Sequence, residues 1–160
     1  MDVSLLPAYD SPDEVRALFS EYTQMLIEGD PVFEEFLAIQ NYDDELKKLH
    51  VKYGLPGGRL YLARSGGAVA GCIALHKLDD THAEIKRLYV RPQYRRHHIA
   101  SLLVEQVLQD ARDIGYDYIQ LDTLPFLTGA LRLYESFGFT RFECENNSPM
   151  KESIFMKLDL

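Results

Sequence analysis

"VRPQYRRHHIASLLVEQVL", residues 90–108, decides how the chain folds. A proline marks a turn, and four successive basic or imidazole side chains follow, Arg95, Arg96, His97 and His98. Apolar residues then recur at close to helical spacing through Ile99, Leu103, Val107, Ala111 and Ile114, with Gly115 placed to end the helix. The order is strand, turn, cationic elbow, helix. The first turn of a helix has N–H groups without intrahelical partners and carries the positive end of the helix dipole, so this elbow is built to hold an anion such as phosphate. A solvated charged loop is the plainer alternative.

Working outward, "AEIKRLYV" (83–90) reads as the strand that feeds the elbow, after a turn at Asp79-Asp80. Before it, "RLYLARS" (59–65) and "AVAGCIALHKL" (68–78) flank Gly66-Gly67 as a hairpin, the second apolar enough for a central strand. After the helix, "YDYIQLDT" (116–123) alternates as a strand. Thr128 is placed to cap a short helix, "GALRLYESFG" (129–138). "FTRFECE" (139–145) and "SIFMKLDL" (153–160) make a last hairpin across Asn146-Asn147-Ser148-Pro149. From Ser11 to about Tyr53 the sequence predicts two helices broken near Gly29-Asp30-Pro31, with Ser11 as N-cap and Pro12 at the first helical position. The predicted order is β-α-α-β-β-β-α-β-α-β-β, an α/β mixed sheet with helices on both faces.

The chain has 160 residues, 46% of them hydrophobic and 26% charged, which fits one domain over 1–160. Its net charge of −8 is unevenly placed. Between Asp10 and Lys48 eleven acids face three bases; between Glu84 and His98 five bases face one acid. An acidic chain of this kind is a poor binder of nucleic acid. No basic leader with an apolar core opens the sequence and no run reaches the ~18 apolar residues of a membrane span, so a cytoplasmic location with no membrane partner is expected. Cys72 and Cys144 make no disulfide framework and read as reduced thiols. Cys72 and His76 stand about 13 Å apart on a strand, too far to share an ion, and adjacent His97-His98 cannot both face one, so no metal is expected. Nucleophile-elbow, P-loop and dinucleotide patterns are absent.

Two further patterns fix a resemblance. "EIKRLYVRPQYRRHHIASLLVEQVL", then "IQLDT", then "ALRLYESFGF" resembles the GNAT superfamily of acyl-CoA-dependent N-acetyltransferases, from about Arg59 to the end. The family's [Q/R]-x-x-G-x-[G/A] pyrophosphate signature falls on Arg95 to Ala100, and its "ALxLYxxxGF" pattern on Ala130, Leu131, Leu133, Tyr134, Gly138 and Phe139. The resemblance implies a central, mostly antiparallel twisted sheet splayed between two parallel strands. It implies acetyl-CoA as acyl donor, held by Leu88, Tyr89, Val90, Arg95, Arg96, His97, His98, Ile99, Ala100 and Ser101. It also implies an amine acceptor, attacked directly through a tetrahedral intermediate, and allows a homodimer through terminal strands. Two positions depart from the family pattern. His98 stands where glycine is preferred, at a cost of about 1 kcal/mol if φ is positive there. Either that position is ordinary helical backbone, or imidazolium adds charge for the phosphate. Leu127 stands where many relatives have asparagine.

Acetyl transfer to an amine needs a base for the amine, donors for the oxyanion and a proton for the thiolate. The broken alternation of "EIKRLYV" fits a bulge that opens the strand, with a Leu88, Tyr89 or Val90 amide facing the oxyanion. By resemblance Tyr134 donates the proton, or it is a core aromatic beside Leu131 and Phe137. Glu84 stands where some relatives place the base, or it is a strand-end acid paired with Lys86 or Arg87. Asp122, with Gln120 and Tyr118, reads as a satisfied polar residue. The acidic N-terminal helices favour a cationic acceptor if they wall the cleft, and are solvated faces otherwise; Tyr22, Phe33, Phe36, Tyr42 and Tyr53 line a pocket or fill the core. The competing function class is a non-catalytic acyl-CoA-binding or regulatory domain.

Overall fold

The computed structural model describes residues 2–39, 42–143 and 153–160, without the side chains of Phe36 and Ile39. Cys144 and the expected Asn146–Pro149 turn fall outside the described residues. Seven strands form one sheet: β1 (Val3–Pro7), β2 (Arg59–Ser65), β3 (Ala68–Lys77), β4 (His82–Val90), β5 (Tyr118–Thr123), β6 (Thr140–Phe142) and β7 (Ile154–Asp159). Their order across the sheet is β1-β2-β3-β4-β5-β7-β6. Among the described strands only β4 and β5 pair in parallel, which is the mixed, mostly antiparallel arrangement expected.

Helices cover both faces. Helix α5 (Ile99–Ile114) and α6 (Thr128–Ser136) lie on one; α1 (Pro12–Gly29) and α4 (Leu49–Tyr53) pack on the other. On α5 the residues at helical spacing go inward, Ile99, Leu103, Val104, Val107, Leu108 and Ala111, against Tyr61, Ile73, Leu75 and Ile85 of the sheet. Each such aliphatic side chain contributes about 1.5–3 kcal/mol of burial. Gly115, at φ +102°, closes α5 with its N–H on the Ala111 carbonyl.

The N-terminal helical region differs from the expected pair. The break at Gly29–Pro31 is there, but the chain beyond it forms three short helices, α2 (Phe33–Ile39), α3 (Tyr42–Lys47) and α4. A tertiary contact is the reason: α3 turns Glu45 inward onto Arg87 of β4, a buried pair with both side chains at most 3% exposed, and Lys48 leaves helical geometry directly after it. The caps also differ in detail. Ser11 occupies the N-cap of α1 without a side-chain hydrogen bond, and Leu127, not Thr128, is the N-cap of α6.

The feature that positions the site is the parting of β4 and β5. They pair only at His82–Tyr118, Ala83–Ile119 and Glu84–Gln120. Beyond Glu84, β4 bulges: three steps from Tyr89 to Lys86 face two from Cys72 to Ala74 on β3. Arg87, at φ +59°, carries the bulge, and Leu88 has no partner residue in either neighbouring ladder. A left-handed residue with a side chain costs roughly 1–2 kcal/mol. The Arg87 guanidinium offsets it with two hydrogen bonds to Glu45, at 2.9 and 3.0 Å, and the Arg87 carbonyl accepts one from Cys72 Sγ at 3.3 Å. Opposite the bulge, a Cβ at Gly71 would stand 2.6 Å from the Tyr89 carbonyl oxygen. Gly71→Ala is therefore expected to destabilise the fold by about 1–3 kcal/mol, read as a lower urea midpoint with an unchanged m-value.

Candidate active site

Two cavities meet at the parted strands. The larger, about 540 Å³, runs along Leu88, Tyr89 and Val90 to the elbow and is closed by α6 and by Tyr22 and Met25 of α1. The smaller, about 40 Å³, lies behind it against Ile85, Lys86 and Arg87 of β4, Leu26 and Phe33 of the helices, and Leu124. Six residues line both, Tyr22, Leu88, Asp122, Thr123, Leu127 and Tyr134, and they mark the joint.

At the elbow a 3-10 turn over Pro92–Tyr94 leads into backbone with two left-handed residues, Arg96 at φ +67° and His98 at φ +60°, ψ +19°. Position 98 is thus not ordinary helical backbone. The left-handed conformation is one glycine adopts freely, and histidine is among the other residues that adopt it most readily. The first hydrogen bond within α5 joins Leu102 N–H to the His98 carbonyl, so the amides of Ile99, Ala100 and Ser101 precede it, and all three residues line the larger cavity. Arg95, Arg96 and His98 line it too; exposed His97 does not. Arg95 donates to the Val90 carbonyl at 3.0 Å and lies 6.0 Å from the Tyr89 ring centroid. Arg91 holds the elbow to α1 through Glu21, at 2.8 and 3.1 Å.

Tyr134 sits at the joint, 6% exposed and packed edge-on against Phe139. It is at once a core aromatic, with Leu131 and Phe139, and a lining residue of both cavities. Burial raises its hydroxyl pKa far above the ordinary tyrosine value, and burial likewise pushes neighbouring Tyr22 up to about 12. Glu84 lines neither cavity. Its partner is His76 of β3, Nδ1 to Oε1 2.7 Å, not Lys86 or Arg87. Burial alone would raise its pKa, but the hydrogen bond from His76 and the charge of Lys86 outweigh that and lower it. Asp122, expected to be satisfied, has no hydrogen bond or ion pair among the described residues while lining both cavities. Its alternation with buried Ile119 and Leu121 turns it toward the α1 face, a signal readable in "YIQLDT".

The acidic N-terminal helices are less free than their charge suggests. Glu14 pairs with Arg64, Glu21 with Arg91, and Glu45 with Arg87 and Lys52. Of the aromatics there, Tyr22 lines the joint and Phe33 the smaller cavity, whereas Tyr53 is fully buried core and Tyr42 lies against Arg87. Cys72 is buried, and burial pushes its thiol up. Among the described residues no group of His, Cys, Asp and Glu could hold a metal ion, and no helix is long and apolar enough to cross a membrane.

Residues 15–139 match the acetyltransferase (GNAT) family. An uncharacterised N-acetyltransferase of Schizosaccharomyces pombe is 38% identical over 150 residues, 92% of this chain and 88% of its own length. The chain belongs to the GNAT family. A second GNAT relative, an uncharacterised N-acetyltransferase of Dictyostelium discoideum, is 29% identical across all of both chains. The fold agrees. An acetyltransferase from Streptococcus agalactiae superposes with a TM-score of 0.77 over 99% of this chain and 98% of its own, at 22% identity. A GNAT acetyltransferase from Elizabethkingia anophelis, solved with acetyl-CoA bound, matches 65% of this GNAT chain and 77% of its own, with a TM-score of 0.58 and 25% identity.

Proposed function

We propose that this GNAT chain transfers an acetyl group from acetyl-CoA to a primary amine by direct attack. The observation that carries the reading is the joint itself. Leu88, freed of both ladders, buried Tyr134 and Asp122, whose side chain has no partner among the described residues, converge where a cavity of about 540 Å³ that runs to the elbow meets a second chamber. The elbow fits a pyrophosphate: left-handed Arg96 and His98 leave the Ile99–Ser101 amides at the cavity wall, with Arg95 and Arg96 beside them.

Acetyl-CoA supplies the thioester. The chain supplies the rest. The Leu88 amide, which no strand claims, is the donor toward the developing oxyanion. Tyr134, kept protonated by burial at neutral pH, gives its proton to the departing sulfur and is reprotonated from solvent. Asp122 accepts the proton that the amine loses. In this reading Glu84 is left in its pairing with His76, because it reaches neither cavity.

Thiol release from acetyl-CoA, followed over a panel of amines, tests the proposal. Calorimetric binding of acetyl-CoA without turnover on any amine would favour an acyl-CoA-binding domain instead. In the same calorimetry Arg96→Ala is expected to weaken acetyl-CoA roughly tenfold, as for loss of one charged hydrogen bond. That difference should shrink in about 1 M salt.

A further inference from the structure

The smaller chamber contains a cation that the fold does not use. Lys86 is 9% exposed, lines the chamber, and has no hydrogen bond or ion pair among the described residues. Every other buried charge on this face of β4 is matched. Arg87 and Lys52 share Glu45, and Glu84 takes its hydrogen bond from His76. Glu45 and Glu84 are thus taken up by Arg87, Lys52 and His76, which leaves Lys86 without a close partner among the described residues. An ammonium this largely buried and without a protein partner is placed to pair with an anion that reaches the chamber.

Lys86 and Asp122 share the chamber, two residues beyond the Glu84–Gln120 rung on neighbouring strands, yet they form no ion pair within 4.0 Å. Asp122 lies at the joint with the donor cavity; Lys86 lies deeper, lining the chamber alone. One end of the chamber is set for an amine and the other for an anion. Its volume, about 40 Å³, suits a head group of a few heavy atoms rather than a molecular body. The rest of the wall is mixed: Tyr22, Arg87, Thr123 and Ser153 bring polar groups, and Leu26, Phe33, Leu124 and Leu127 its apolar part.

We infer that the acceptor is an amino acid-like molecule, its amine on Asp122 and its carboxylate on Lys86. This rests on the proposed transfer reaction and reverses the expectation of a cationic acceptor. Of the eleven acids behind that expectation, Glu14, Glu21 and Glu45 are already paired with cations of the sheet or its edge.

The test compares matched amines by thiol release: L-phenylalanine, L-leucine and L-methionine against their carboxamides, 2-phenylethylamine and spermidine. Wild type is expected to favour the carboxylates by at least about tenfold in kcat/KM. Lys86→Met should lower kcat/KM for L-phenylalanine roughly ten- to hundredfold, mainly through KM, while 2-phenylethylamine changes less than about threefold. Lys86→Arg keeps the charge and should retain part of the preference. The inference is overturned if wild type turns over the carboxamides or spermidine as well as the amino acids, or if Lys86→Met lowers all acceptors equally. Either result leaves acetyl transfer standing. Failure to release thiol with any amine removes both the transfer reaction and this acceptor class.

Discussion

Tyr134→Phe is expected to lower kcat roughly 10²-fold with little change in acetyl-CoA affinity, the low end for loss of a general acid. The packing reason is that only the hydroxyl is removed. The ring contacts with Phe139 and Leu131 stay, so the thermal midpoint should hold. Because burial keeps the phenol protonated, the wild-type rate should show no loss attributable to Tyr134 as pH rises through 8 to 9. Steady-state thiol release and calorimetry on the same preparation separate the two effects. An unchanged kcat would remove Tyr134 from the mechanism.

Glu45→Ala carries the largest expected loss of stability, about 3–5 kcal/mol, because it leaves the Arg87 guanidinium buried without its two short hydrogen bonds and takes a partner from Lys52. The damage would not be confined to α3. Arg87 holds the bulge in a left-handed conformation, so the variant should also loosen the opening beside Leu88 and weaken acetyl-CoA binding. The pH dependence has a definite sign. Burial would raise the Glu45 pKa, but the hydrogen bonds and charge of Arg87, with Lys52, hold it at about 2 against an ordinary 4.5. A carboxylate depressed in the folded state stabilises fully above its unfolded value and loses that contribution as pH falls toward the folded one. Wild type should therefore lose stability between about pH 4.5 and 2, and Glu45→Ala should flatten that slope in urea titrations at stepped pH.

The features legible in the sequence are local. Pro92, Gly115 and the spacing of Ile99, Leu103 and Val107 mark a turn, a stop and a face without reference to anything distant. The irregular alternation of residues 84–90 signals the bulge, because a strand with one extra residue cannot keep period two. The features that escape a sequence reading depend on partners far away along the chain. The splitting of the second helix follows from a pair 42 residues apart, and the left-handed state of His98 is imposed by the route from β4 into α5. For Glu84 the sequence leaves open a base, by resemblance, or a strand-end acid paired with Lys86 or Arg87; only the fold shows His76 opposite it. Asp122 and Lys86 differ from ordinary polar strand residues solely in lacking a partner, which no pattern within the sequence records.

Three rungs between His82–Tyr118 and Glu84–Gln120 are all the ladder that stitches the first four strands to the last three. Past them the halves of the sheet are held by α5, α6 and whatever occupies the gap. On the proposed reading, an extended donor that borrows the idle edge of β4 would stand in for the missing strand and become a temporary part of the architecture.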